Sequence, residues 1–273
     1  MTDIANDWNA VAEAWDAHVD DVDQHSIAAT DALVAALGVQ AGDRVLELAC
    51  GPGSLGPTWA HLSGPTGAVV LSDIAPDMVE VAARRNARFD TIRCEVIDAS
   101  HIDHPDASFD VVAERMGLMF APDPARVLAE VRRVLTPGGR FGALTWGAIE
   151  HNPWMTCVGM AAMVNGLVSS GPPDGPGGIF SLGDPAQLEQ LATDAGFAEV
   201  AVSVIDLSFV EPDIDTHVSR VMALAGPLAP IFAGATADQD AAVRRTAADL
   251  AAPHVSDEGV ALPGRALLLR AVS

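Results

Sequence analysis

VLELACGPGSLG, residues 45–56, is the stretch whose reading decides the fold. Arg44–Ala49 reads as a strand, and Gly51, Gly53 and Gly56 follow it in the spacing G-x-G-x-x-G. That spacing turns a strand tightly into a helix and lets a ligand approach the backbone N–H groups. A second apolar run, Ala68–Asp73, ends in a carboxylate twenty residues beyond Gly53. A carboxylate at that place takes ribose hydroxyls, so strand, turn and acid together predict an adenosine site on a parallel sheet.

Working outward, short apolar strands alternate with helical stretches. Further strands are read at Ile92–Asp98, Phe109–Arg115, Arg140–Trp146, Val200–Val210 and Ala266–Val272. Helices are read over Ser54–Leu62, Pro76–Arg88, Pro124–Leu135, from Pro153 onward and over Asp184–Ala195, with a turn at Thr136–Gly139. Continuous Val/Leu/Ile runs joined by helical crossovers describe an α/β protein with a parallel sheet buried on both faces. Ser169–Gly178 (SSGPPDGPGG) is too rich in Gly and Pro for regular structure. The division expected is a cofactor-binding core at 44–147, continued at 181–211 and closed by a last strand within 259–273. Residues 1–43, the insertion 148–180 and the helices of 212–258 are left to build a lid.

Composition narrows the chemistry. The 273 residues carry a formal charge of −22 and no Tyr, and all fifteen basic residues are Arg. Phosphate backbones and anionic lipid repel such a chain, so nucleic-acid and membrane partners are not expected. Without Lys there is no Schiff base, no P-loop lysine and no Tyr–Lys pair for a short-chain dehydrogenase. No run reaches the roughly 20 apolar residues of a membrane span. The acidic start lacks the basic and apolar regions of a secretory signal. Cys50, Cys94 and Cys157 lie far apart, as free thiols in a reducing cytoplasm would. No metal site is expected. His101 and His104 belong to a polar turn and are read as solvated.

Glu47 and Asp98 add acids at strand positions around the loop. Buried acids are costly without a partner, and a cationic adenosine ligand supplies one. The chain here resembles the class I S-adenosylmethionine-dependent methyltransferases, in the ubiquinone/menaquinone-biosynthesis branch. The likeness rests on VLELACGPGSLG (45–56), LSDIAPDMVEVAARR (71–85), IDASHIDHPDASFDVV (97–112), GLMFAPDPARVLAEVRRVLTPGGR (117–140), NPW (152–154) and DAGF (194–197). It implies a Rossmann-like seven-stranded sheet ordered 3-2-1-4-5-7-6, the last strand antiparallel. It also implies S-adenosylmethionine contacts at Glu47, Ala49, Gly51, Gly53, Asp73, Ile74, Asp98 and Ala99 and near Arg115 and Met116, with Met78 against the adenine. Two departures stand out. Ala49 replaces the first loop glycine. Glu114-Arg115-Met116-Gly117 replaces the Asp/Asn-Pro-Pro-Tyr/Phe of enzymes that methylate amino groups of nucleobases or glutamine.

His18, His25 and His151 fall in segments expected above the cofactor and are the candidate bases for a hydroxyl acceptor. Trp15, Phe120, Trp146, Trp154, Met155 and Met163 are the candidate walls of an acceptor pocket, suited to an apolar molecule. The expectation is methyl transfer to a small, mostly apolar metabolite, at oxygen or carbon, by a cytoplasmic monomer or homodimer. The competing readings are a nicotinamide-dependent oxidoreductase and a fold member that binds the cofactor without methylating.

Overall fold

The computed structural model describes residues 3–169 and 175–273, so most of the first half of the Gly/Pro-rich loop at 169–178 lies outside the described residues. Two helices open the chain, α1 (Asp3–Asn9) and α2 (Ala12–Leu37). Then come β1 (Arg44–Leu48), α3 (Gly56–Ser63), β2 (Ala68–Asp73), α4 (Pro76–Asn86), β3 (Ile92–Val96) and β4 (Phe109–Arg115). The second half holds α5 (Pro124–Val134), β5 (Leu135–Trp146), α6 (Pro153–Val164), α7 (Pro185–Asp194) and β6 (Ala198–Glu211). It ends with α8 (Ile214–Leu224), α9 (Ala229–Ala233), α10 (Ala237–Ala251), β7 (Val255–Ser256) and β8 (Gly259–Val272).

β1 is buried at every position after Arg44, because it lies between β2 and β4 with helices on both faces. The sheet runs β3-β2-β1-β4-β5-β8-β6, which is the expected order with one short addition, β7 paired to β8. β1 to β5 are parallel, and β8 is antiparallel to β5 and β6. Val45 sits level with Val69 and Val111, which stacks the Val/Leu rows into one core.

Four sequence expectations shift. The last strand begins at Gly259 rather than Ala266, because β6 and β8 continue pairing out to Glu211 and Val260. The Thr136–Gly139 turn is drawn into the start of β5 and stitched to the chain end, Gly138 donating to the Ser273 carbonyl and Ser273 to that of Gly139. The third strand stops at Val96, since the Asp98 side chain turns the chain by accepting from Ser100 N–H and Oγ. The helix after the loop begins at Gly56 rather than Ser54.

Residues 1–43 divide in two. The second half of α2 belongs to the main core, with Ala29, Leu33 and Leu37 fully buried. It descends onto β5 at Gly142, where an added Cβ would lie 2.7 Å from Leu33 Cδ1. α1 and the first half of α2 instead build a satellite core with α4: Val11 and Ala12 pack with Ala75, Met78 and Val81, flanked by Trp8, Trp15 and Ala229. α6 packs on α10, held also by Asn165 Nδ2 donating to Thr246 Oγ1 at 2.9 Å.

Candidate functional site: a glycine loop under an acidic helix

The turn after β1 is built from left-handed residues, with φ of 49° at Ala49, 52° at Gly51 and 72° at Gly53. Its glycines have different reasons. Around Gly51 nothing lies within 4 Å of where a Cβ would stand, so the loop presents an open cradle there. At Gly53 and Gly56 an added Cβ would run into α4 and β2, 2.8 Å from Ala82 Cβ and 2.5 Å from Asn86 Oδ1 respectively. Those two glycines serve close packing of loop, helix and strand. Asn86 secures the contact by donating to the Gly53 carbonyl at 2.9 Å.

Asp73 stands at the end of β2 beside this cradle. Gly51 N–H donates to its Oδ2 and Ala75 N–H to its Oδ1, both at 3.0 Å. Burial pushes its carboxyl up, and the backbone donors of Ala75, Gly51 and Ile74 oppose that. Glu47, 1% exposed, accepts from Trp59 Nε1 at 2.9 Å. Burial raises its carboxyl to about 7, while Arg115 and the Trp59 bond favour the ionised form. Glu114, on the opposite face of the sheet, is pushed by burial to about 8, and its Oε2 meets no partner. Ile74 and Ala99 are half-buried, Asp98 is exposed, and Met78 is buried in the satellite core with Trp8 and Trp15 nearby.

Lysine-free and strongly acidic, the N-terminal helices meet the body through arginines. Asp16 bridges Arg84 at 2.8 Å and Arg85 at 2.7 Å, and the Arg84 hydrogen bond leads in holding its carboxyl below the usual range. One helical row further, Arg115 at the end of β4 donates to Asp23 Oδ1 at 2.7 Å, to Thr30 Oγ1 at 3.3 Å and to Ser54 Oγ at 2.8 Å. Ser54 in turn donates to Asp23 at 3.1 Å. The neighbouring Met116 has φ 63° and is half-buried.

The aromatic candidates fall into two groups. Trp15 and Phe120 both reach Trp8, at ring distances of 6.1 and 5.2 Å, and Trp15 Nε1 donates to the Leu224 carbonyl. Trp146 and Trp154 lie 4.7 Å apart, and Trp154 stacks on Phe209 at 4.4 Å. Trp154 is only 8% exposed. Its Nε1 donates to Asn152 Oδ1, which also accepts from Arg265 N–H, while Asn152 Nδ2 donates to the Gly147 carbonyl. The NPW segment is thus a brace between β5 and β8, and Trp154 is a packed wall more than a movable flap. Met155 and Met163 are half-buried on α6.

The three histidines are not brought together. His18 and His25 share a face of α2, and His151 is exposed beyond β5. His25 stacks on Phe209, and its two nitrogens face the carbonyls of Asp21 at 2.6 Å and Val210 at 3.0 Å. Each of its nitrogens is turned to a backbone carbonyl, so neither faces open space. His18 is half exposed and borders a cavity of about 440 Å³ with Asp21, Thr216, Ser219 and Arg220. Behind it Arg220 pairs with the buried Glu211 and lies 3.5 Å from Asp21. His104 bonds Glu95 at 2.9 Å rather than standing free in solvent. Among the described residues no cluster of three or more His, Cys, Asp or Glu is placed to hold a metal, and no helix is long and apolar enough to cross a membrane.

Sequence reading missed Trp8, Asp23, Ser54, Phe209, Glu211 and Arg220. For Asp16, Asp20 and Asp23 a signal existed: they recur at i, i+4 and i+7 along one helix face. For Ser54 and Phe209 there was none, because their partners lie far away in the chain.

Comparison with known proteins agrees with this geometry. Residues 45–139 match the family described as "Methyltransferase domain". Over 118 residues, 42% of this chain, it is 40% identical to a ubiquinone/menaquinone biosynthesis C-methyltransferase of Ralstonia nicotianae. The chain spans about half the length of the curated relatives it matches. A Haemonchus contortus phosphoethanolamine N-methyltransferase solved with S-adenosylhomocysteine superposes with a TM-score of 0.57 at 17% identity, over 90% of this chain and 52% of that one. The [4+2]-cyclase SpnF superposes with a TM-score of 0.55 at 18% identity, over 97% of this chain and 96% of that one. Residues 45–139, which begin with β1 and its glycine turn, thus match a methyltransferase domain, and the chain shares the fold of the solved methyltransferases.

Proposed function

We propose that this chain binds S-adenosylmethionine and transfers its methyl group to a small, mostly apolar acceptor at oxygen or carbon. The observation that carries the reading is the buried Asp73 carboxylate fixed against the Gly51 N–H, in a turn where no atom lies within 4 Å of a Cβ built on Gly51. The residues present fit the group. Asp73 offers carboxylate oxygens to ribose hydroxyls, Ile74 and Ala99 offer apolar cover for an adenine, and Asp98 an exposed carboxylate, while Met78 is taken up by the satellite core. Glu47, Ala49, Gly51, Gly53, Arg115 and Met116 surround the remaining end.

S-adenosylmethionine, when bound, supplies a methyl on a sulfonium, ready for in-line displacement by a nucleophile. The chain's part is placement, holding an acceptor atom about 3 Å from that methyl and keeping water out. The acids around the loop favour a positive charge, and a cation near Glu47 draws its carboxyl toward the ionised form. Trp146, Trp154, Trp15, Phe120, Met155 and Met163 supply apolar walls. His18, His25 and His151 stay the candidate bases for a hydroxyl acceptor, and His18 is the one that borders a cavity, a polar one between α2 and α8. A carbon acceptor of activated type needs none. The unpaired Cys50, Cys94 and Cys157 suit a cytoplasmic enzyme, acting as monomer or homodimer.

Titration calorimetry with S-adenosylhomocysteine and with a nicotinamide dinucleotide, followed by transfer of labelled methyl to extract-derived acceptors, tests the reading. Binding of the first ligand and label in a small molecule are expected. Binding of the dinucleotide alone would sink it.

A further inference from the structure

The contact between Arg115 and Asp23 has the form of a filled carboxylate site. One Asp23 oxygen is gripped by a guanidinium at 2.7 Å and a hydroxyl at 3.1 Å, and the guanidinium also holds that hydroxyl at 2.8 Å. Arg115 and Ser54 belong to the cofactor loop and the strand end facing it. Asp23 comes from α2, whose Asp16 and Asp20 bind arginines of α4 and whose Asp21 faces Arg220 of α8. Arg115 is 12% exposed while Asp23 is 34% exposed, so the cation belongs to the built site and the anion lies nearer its mouth. Of the charges acting on Glu47, Arg115 is the positive one, against Asp23 and Asp73. A ligand whose amino-acid end carries a carboxylate therefore finds one strong charge partner beside this loop, and Asp23 already uses it.

Resting on the cofactor reading above, we propose that Arg115 and Ser54 form the subsite for the carboxylate of the cofactor's methionine half, and that Asp23 is an internal competitor for it. Binding of the tail then trades the Asp23 contact for an equivalent one and releases a clasp between α2 and the body. Thr30, 3.3 Å from Arg115, keeps the guanidinium aimed during the exchange.

The test compares two ligands that differ by the amino-acid tail, S-adenosylhomocysteine and 5′-methylthioadenosine, by calorimetry on the full chain. Arg115→Gln is expected to weaken S-adenosylhomocysteine by about tenfold or more and leave methylthioadenosine within about twofold, since a charge-assisted contact is lost for one ligand only. Arg115→Lys should recover part of the loss. Asp23→Asn should tighten S-adenosylhomocysteine severalfold and leave methylthioadenosine alone. Ser54→Ala gives the same split at smaller size and serves if the Arg115 variants melt early. Equal weakening of both ligands by Arg115→Gln, or weaker S-adenosylhomocysteine binding in Asp23→Asn, overturns the subsite. Failure of the unaltered protein to bind either ligand overturns the cofactor reading itself, and the subsite with it.

Discussion

The Cβ of Ala49 stands where a side chain at Gly117 would have to go: a Cβ built on Gly117 would come 2.4 Å from it. The loop after β1 and the turn after β4 are therefore fitted to each other at one methyl group. Ala49 holds a left-handed φ of 49°, which costs an L-residue roughly 1–2 kcal/mol. Ala49→Gly should relieve that strain, offset in part by the freedom glycine gains unfolded. Gly117→Ala should destabilise by about 1–3 kcal/mol through overpacking. The double variant should regain part of that loss, because the worst contact has gone while Glu114 Oε1, 2.8 Å from the new Cβ, remains. Denaturant melts of the four proteins give the coupling directly. Strictly additive losses would show that the two turns are not fitted in this way.

Asp73 holds the loop as well as facing the cradle. Asp73→Ala should weaken S-adenosylhomocysteine by about 2–3 kcal/mol, from lost charge-assisted bonds and a looser Gly51. Asp73→Asn keeps the shape and one acceptor and should fall between. Calorimetry showing unchanged affinity in the folded alanine variant would remove Asp73 from the site.

Much of this was legible because it is local. The glycine spacing, the acid closing β2, and the proline and capping residues that start α4, α5 and α7 act within a few residues. Strand rhythm gave a parallel sheet, and its order came from the family resemblance alone. What escaped is what chain distance hides. Asp23 and Arg115 are 92 residues apart, and the i, i+4, i+7 spacing of Asp16, Asp20 and Asp23 marks a shared helix face without telling which arginine each one meets. Glu114 reads as half of an unusual strand end, and only the packed structure shows it buried without a partner for Oε2. Residues 148–180 read as lid because the strand pattern leaves them over, while Asn152 and Phe209 lock Trp154 into the wall.

Glu47 and Glu114 make stability depend on pH. Burial raises the first to about 7 and the second to about 8, from an ordinary value of 4.5. Between those limits the folded chain keeps protons that the unfolded chain has released, so stability falls as pH rises from 4.5 toward 8 and levels off above. Glu114→Gln stays neutral throughout. It should flatten the upper part of that fall and be the more stable protein at pH 8, by on the order of 2 kcal/mol. Urea melts at pH 5, 6.5 and 8 on both proteins check it. Parallel pH profiles would mean that Glu114 ionises normally in the fold.

Trp154 tests whether the aromatic wall serves the acceptor. Its ring lies 4.4 Å from Phe209 at 14° and 4.7 Å from Trp146, and Gly264 opposite leaves just enough room, since a Cβ there would sit 3.0 Å from Trp154 Cδ1. Trp154→Ala therefore empties a tightly filled space and should cost about 3–5 kcal/mol, enough to blur any effect on turnover. Trp154→Phe is the sharper probe. It keeps an aromatic face on Phe209 and removes the Nε1 bond to Asn152 Oδ1, which still accepts from Arg265 N–H, so the loss should be about 1 kcal/mol. The Arg115–Asp23–Ser54 contacts and the glycine loop include none of these rings. S-adenosylhomocysteine affinity should accordingly stay within about threefold in Trp154→Phe, while KM for the acceptor rises. A folded Trp154→Phe protein that loses S-adenosylhomocysteine and keeps its acceptor KM would assign the aromatic wall to the cofactor instead.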